Sequence, residues 1–409
     1  MNGNKRYNEG DSMQKTKTRK QSRISSAKAG RSIQHARADY YDYSLVAVIV
    51  LLICFGLVML YSTSSYMAEV KYGNDMFYFK KQAAISVACI VMALIISRID
   101  YHILYYFTTI LYVAAFGLML LVKTPLGTAA NGAQRWLQIG PIQFQPSEIA
   151  KVAVIVCLPY MIIKMGRRIK TLKACMVLLG VGGLLAFGAY QFTDNLSTAI
   201  IIFAITVGLI FVAHPDTKIF FILGGAGIAG IAAVVMFLNA TVSVDGDISF
   251  RLRRIMVWLH PEDFADTWGY QTIQALYAIG SGGFFGKGLG NSAQKTIIPE
   301  VQNDMILSII CEELGVFGAI LVLTLFGLLL YRLLFIAQNA PDLYGSLIVT
   351  GIFAHMALQV FLNVGVVTNL IPTTGITLPF ISYGGTAILF LSIEMGIALS
   401  VSKQIKIEQ

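Results

Sequence analysis

The sequence predicts an all-α polytopic membrane protein of about ten transmembrane helices, with a large extracytoplasmic loop before the eighth. Three observations predict it. Of 409 residues, 56% are hydrophobic and only 13% are charged, against about 25% charged in ordinary soluble domains. Apolar runs approaching the length of a spanning helix, about 20 residues, recur along the chain. The positive charges between those runs are unequally divided.

The runs fall at roughly 44–61, 82–97, 102–122, 148–163, 174–190, 198–213, 219–239, 305–331, 343–366 and 383–401. With the N-terminus inside, the inner segments carry 20 Lys/Arg and the outer segments 10, and Lys151 lies within a span. Lys164, Arg167, Arg168, Lys170 and Lys173 crowd one short loop, which the positive-inside rule places in the cytoplasm. Ten spans then put both termini there. The chain divides into a basic tail at 1–43, a membrane domain at 44–403 and a short tail at 404–409. The first tail holds ten Lys/Arg against four acids and lacks apolar content until Tyr40, the composition of a disordered segment. It reads as a topology determinant or a weak ligand for anionic lipid. No signal peptide is visible. The net charge of +9 therefore reflects topology rather than nucleic-acid binding. Cys54, Cys89, Cys157, Cys175 and Cys311 lie in or beside apolar runs without a CxxC pair. That excludes a zinc ribbon and reads as packing.

Polar, irregular sequence concentrates on the outer side, at 123–147, about 240–304 and 367–382, so function is expected there. The long loop carries Arg251, Arg253 and Arg254, then a glycine run from Gly280 to Gly290 that contains Lys287. The run is not a nucleotide P-loop, because Gly286-Lys287 is followed by Gly288 and no strand precedes it. It reads as a re-entrant loop or as a backbone cradle for phosphate. The arginines read as headgroup anchors or as a pyrophosphate clamp. Asp304 stands where the loop meets the eighth span, with Glu300 four residues before it. A capping role is available to it. A helix terminus also lowers a carboxyl pKa and weakens a base, whereas Glu300 acts the other way, and the two acids could share a divalent cation. Within the spans, Glu148, Lys151, Glu312, Glu313, His355, Gln359, Asn363 and Glu394 interrupt apolar sequence. They must pair or face a polar interior. Glu148 and Lys151 share one helix face. No inverted repeat of the kind transporters show is evident.

Four separated motifs resemble the SEDS family, the FtsW/RodA/SpoVE peptidoglycan polymerases, over roughly residues 44–403. They are Asn131-Gly132-Ala133-Gln134-Arg135-Trp136 with Gln145-Pro146-Ser147-Glu148-Ile149-Ala150-Lys151; Gly286-Lys287-Gly288-Leu289-Gly290; Pro299-Glu300-Val301-Gln302-Asn303-Asp304 with Glu312-Glu313-Leu314-Gly315; and Leu378-Pro379-Phe380-Ile381-Ser382-Tyr383-Gly384-Gly385-Thr386. The wording is most like the division-type FtsW branch, with the sporulation branch next. The resemblance implies a peptidoglycan glycosyltransferase that polymerises lipid II at the outer face of the bacterial plasma membrane. It makes Asp304 the base or a cation ligand. It makes Arg135, Lys151, Arg251, Arg254, Lys287 and Ser382 candidates for the pyrophosphate and headgroup, supported by Trp136, Glu148 and Glu300. No cofactor is certain; Mg²⁺ or Mn²⁺ at Asp304 and Glu300 is the candidate. The implied partners are lipid II, the growing glycan chain, a class B penicillin-binding protein and other division proteins. Many relatives carry His-Thr-Asp-Phe where this chain has Gln302-Asn303-Asp304-Met305, so a role for that His is lost here. The rival readings are a lipid II flippase and a silent scaffold.

Overall fold

In the computed structural model, residues 38–130, 133–140, 142–241 and 250–407 are described. The first helices are α1 (Tyr43–Tyr72), α2 (Phe77–Ile96), α3 (Leu104–Leu121) and α4 (Pro146–Met165). Then come α5 (Leu172–Phe192), α6 (Leu196–Ala213) and α7 (Lys218–Thr241). Two shorter helices, α8 (Phe250–Leu259) and α9 (Tyr270–Gly282), lie in the long loop, and α10 (Ile306–Asn339), α11 (Leu343–Val367) and α12 (Gly385–Lys403) complete the bundle. Among the described residues ten helices are long and apolar enough to cross a membrane. They coincide with the ten predicted runs, although α1 extends eleven residues beyond its predicted end. A multi-pass membrane protein follows from these spans.

The two chain ends meet. Strand β1 (Ala38–Asp39) pairs antiparallel with a C-terminal strand at Lys406–Ile407, so residues 38–43 are ordered rather than part of a free tail. Asp42 caps α1 through Leu45 N at 2.9 Å. Its carboxylate also takes the Arg332 guanidinium of α10 at 2.6 Å, and Tyr40 joins the same guanidinium. Residues 1–37, the rest of the predicted tail, lie outside the described residues.

The 123–147 segment is not irregular. It forms a three-stranded antiparallel sheet of β2 (Gly127–Ala130), β3 (Ala133–Ile139) and β4 (Ile142–Phe144), with Leu137 opposite Phe144 and Thr128 opposite Trp136. The signal was present in the turn dipeptide Gly140-Pro141 ahead of the alternation Ile142-Gln143-Phe144, which is hairpin chemistry.

Helix α10 is broken at Gly315, whose φ of 69° and ψ of −163° are not helical. The break opens backbone groups that the glycine run fills. Lys287 N donates to Glu312 O and Gly288 N to Glu313 O, both at 2.9 Å. In return Val316 N and Phe317 N donate to Gly283 O and Phe284 O at 3.0 and 3.1 Å. Irregular backbone inside a membrane protein survives where protein buries and pairs it, and here two irregular segments pair with each other.

Helix α7 stands at the edge with its spanning stretch unburied. Along its run Gly224-Gly225-Ala226-Gly227-Ile228-Ala229-Gly230, a Cβ at Gly224, Gly225, Gly227 or Gly230 would find open space.

Candidate active site

Asp304 lies just before α10, and it does not cap that helix. The capping position is Met305, which makes no side-chain cap hydrogen bond. The carboxylate faces elsewhere. Burial pushes its pKa above the ordinary 3.8, and the charge of Glu300 adds to this. A backbone hydrogen bond and the Arg254 guanidinium pull the other way without prevailing. The expectation of a weakened base is thereby corrected: desolvation outweighs the helix terminus.

Arg254 and an extended segment lie beside this carboxylate, and Arg135 lies beside Arg254. Arg254, on α8, donates Nη1 to Thr373 O at 3.3 Å and lies close enough to Asp304 to favour its charged form. Arg135, on β3, reaches Asp194 O at 3.4 Å, and its buried Nε has no hydrogen-bond partner. Arg135 and Arg254 lie close enough to repel. Burial lowers the pKa of each guanidinium, but arginine keeps its charge. Two desolvated guanidiniums held together are a standing demand for an anion.

The extended segment is 372–378, whose carbonyls are taken by side chains from three helices. Thr374 O accepts Ser197 Oγ at 2.7 Å, and Thr377 O accepts Gln359 Nε2 at 3.0 Å. Ile376 O accepts Asn363 Nδ2 at 2.8 Å. The same Asn363 nitrogen donates to Asp304 O, also at 2.8 Å. Gly375, at φ 70°, passes so near that a Cβ there would lie 3.9 Å from Asp304 Oδ2.

The remaining predicted residues divide. Lys151 and Glu148 pair at 2.9 Å, both buried, which bears out the shared helix face and spends the lysine charge on the glutamate. Lys287 Nζ sits 2.6 Å from Glu312 Oε1, so a buried carboxylate already holds it. Ser382 Oγ is buried and accepts Leu378 N at 2.8 Å, closing a turn. Trp136 lies half-buried on β3, its backbone oxygen 3.5 Å from Thr128 Oγ1. Glu300 is exposed at φ 47° and accepts Asn303 Nδ2 at 3.0 Å. Arg253 stacks on Trp268 at 5.3 Å, as a headgroup anchor would. Arg251 begins α8, and its side chain lies outside the described residues, as do Asn131 and Gly132. Among the described residues no three His, Cys, Asp or Glu side chains could cage a metal. Asp304 and Glu300 offer two carboxylates, which fits the way Mg²⁺ is held when phosphate oxygens complete the shell.

The FtsW/RodA/SpoVE family model, described as cell cycle protein, matches residues 43–407. The chain belongs to that family. It is 37% identical to the stage V sporulation protein E of Bacillus subtilis, over 88% of this chain and 97% of that one. It is 36% identical to a probable peptidoglycan glycosyltransferase FtsW of Trichlorobacter lovleyi, over 91% and 95%. Sporulation-type and division-type FtsW/RodA/SpoVE proteins are thus about equally similar to it. Among solved structures, one chain from a study of how a peptidoglycan synthase complex coordinates polymerization and crosslinking matches with a TM-score of 0.73. It is 24% identical, over 88% of this chain and 97% of that one. The rod shape determining protein RodA of Thermus thermophilus matches with a TM-score of 0.62 at 25% identity, over 88% and 96%. The ten-span arrangement is therefore the family fold.

Proposed function

We propose that this protein is a peptidoglycan glycosyltransferase that polymerises lipid II, with its site at the outer face of the bacterial plasma membrane and both termini in the cytoplasm. One observation carries the reading: a buried carboxyl at the mouth of α10 stands beside the Arg254 guanidinium, and a second desolvated guanidinium, Arg135, lies beside Arg254. Inverting glycosyl transfer needs one base and one device to hold the leaving charge. The acceptor GlcNAc 4-hydroxyl attacks the anomeric carbon of the donor MurNAc. Its proton goes to Asp304, and the bond to pyrophosphate breaks with its electron pair held by Arg135 and Arg254. Asp304 and Glu300 would hold a Mg²⁺ or Mn²⁺, which would supply charge neutralisation to the leaving group. The relatives named as peptidoglycan glycosyltransferases support this activity. The structural neighbour's peptidoglycan synthase complex, which coordinates polymerization and crosslinking, supports a crosslinking transpeptidase partner. The charge asymmetry of the loops supports the sidedness.

Purified protein with such a transpeptidase and labelled lipid II tests the reading. Wild type is expected to yield glycan polymer and Asp304→Ala none. Polymer from Asp304→Ala at the wild-type rate defeats the base assignment. Lipid II translocation without polymer would favour a flippase.

A further inference from the structure

We infer that Asn363 is a positioning residue for Asp304; the inference rests on the reading of Asp304 as the proton acceptor. Asn363 is fully buried on α11. Its Nδ2 donates to Asp304 O and to Ile376 O, each at 2.8 Å. One carbonyl belongs to the residue that bears the carboxylate. The other belongs to the extended segment that lines it at Gly375. A single amide group therefore joins the two walls of the site.

The need for such a joint follows from the end of α10. Met305 caps without a side-chain hydrogen bond, so the aim of the preceding residue depends on contacts from outside the helix. Asn363 supplies one to the Asp304 carbonyl, and fixing that carbonyl restrains the backbone angle from which the carboxylate projects.

The orientation of the amide is settled by its neighbours. Two carbonyl oxygens face the nitrogen, and a flipped amide would set oxygen against oxygen. The same holds one turn below, where Gln359 Nε2 faces Thr377 O at 3.0 Å. The opposite ends of both amides, Gln359 Oε1 and Asn363 Oδ1, are buried without a partner, as is His355 Nε2 a further turn down. His355 gives its other nitrogen to Glu394 at 2.8 Å. Asn363 and Gln359 thus turn their donors to the backbone beside Asp304, while His355 turns to Glu394.

The test uses the full-length protein with its transpeptidase partner. Asn363→Leu keeps the volume and removes the donors. Its kcat on lipid II is expected to fall at least about tenfold with KM within about twofold, the signature of misplacement at the reacting centre. Ser400→Ala, which frees only Ile99 O, is expected to hold kcat within about threefold. A wild-type kcat in Asn363→Leu overturns the inference. So does activity lost by Asn363→Leu and Ser400→Ala alike, in step with folded protein on size-exclusion chromatography. Where Asn363→Leu does not fold, Asn363→Ser, which keeps one donor, is expected to show an intermediate kcat with KM within about twofold, and a wild-type kcat there, or a loss confined to KM, overturns the inference. Absence of polymer from the wild type defeats the glycosyltransferase reading itself; a wild-type-like Asn363→Leu defeats only the positioning.

Discussion

Lys287 Nζ stands 2.6 Å from Glu312 Oε1, and this contact fixes what the glycine run does. Glu312 is fully buried. It also accepts Ser292 Oγ and the backbone N–H groups of Ala293 and Gln294 at 3.2 and 3.3 Å. Its neighbour Glu313, equally buried, accepts Ser62 Oγ of α1 at 2.6 Å. The two carboxylates anchor the re-entrant segment to the break in α10 from below, as the backbone pairing does from the side.

Removing one partner of a buried pair leaves a charge short of compensation, which costs about 3–5 kcal/mol when the pair is dry. Lys287→Met strands the fully buried Glu312 carboxylate and is expected at the high end, whereas Glu312→Ala leaves a lysine about a third exposed and is expected at the low end. Both lower the Tm in detergent. The folded fraction of Lys287→Met keeps its KM for lipid II within about twofold; a KM raised tenfold would restore the phosphate-ligand reading.

The glycines at the joint are required by space. A Cβ at Gly286 would lie 2.2 Å from Glu313 O, and one at Gly315 would lie 2.3 Å from Phe284 O. Both contacts are with backbone, and both glycines have positive φ. Gly286→Ala and Gly315→Ala are each expected to lose about 3 kcal/mol or more. Gly290→Ala, also at positive φ but with no neighbour within 4 Å, is expected to lose only about 1 kcal/mol. Thermal unfolding of the three variants side by side checks the order.

The raised pKa of Asp304 has a sign that can be measured. The carboxylate is the basic form, so kcat rises as pH climbs through the folded pKa, and the limb lies above the ordinary 3.8. The protonated form is the one favoured by burial. Stability associated with it is therefore present below 3.8 and is lost as pH rises through the folded value. Asp304→Asn removes the limb with the activity. A limb at or below 3.8 in the wild-type kcat–pH profile would contradict the desolvation seen here.

Arg135 and Arg254 act on the leaving group. Arg254→Ala and Arg135→Ala are each expected to lower kcat about 10²–10³-fold, the range for removing one donor to a developing charge. Arg254→Lys recovers only part of this, since an ammonium cannot offer the planar fork. Steady-state kinetics with labelled lipid II gives the ratio. Loss confined to KM would place the arginines on the ground-state headgroup instead.

Much of the fold was legible because its signals are local. Each span carries its own apolar run. The β2–β4 sheet was missed although its alternation was visible, because 123–147 was read by polarity rather than by period. Asp304 could be found from its position alone. Its pKa could not: a helix terminus lowers it, burial raises it, and only packing says which prevails. Gln359 and Asn363 were visible as polar residues in an apolar helix, but nothing in α11 says that they reach for Thr377 and Asp304.

The sequence by itself determined the number of spans, the family and the place where a carboxylate meets the long loop. These follow from hydropathy, charge and motif, which are properties of neighbours in the chain. The tertiary structure decided how each cation is compensated. Lys287, Lys151 and Arg135 are all positive charges within family motifs. Lys287 and Lys151 are held by Glu312 and Glu148, while Arg135 stands beside Arg254 with a nitrogen unpartnered. A charge is available for chemistry when folding leaves it under-compensated, and that depends on residues brought together from distant parts of the chain.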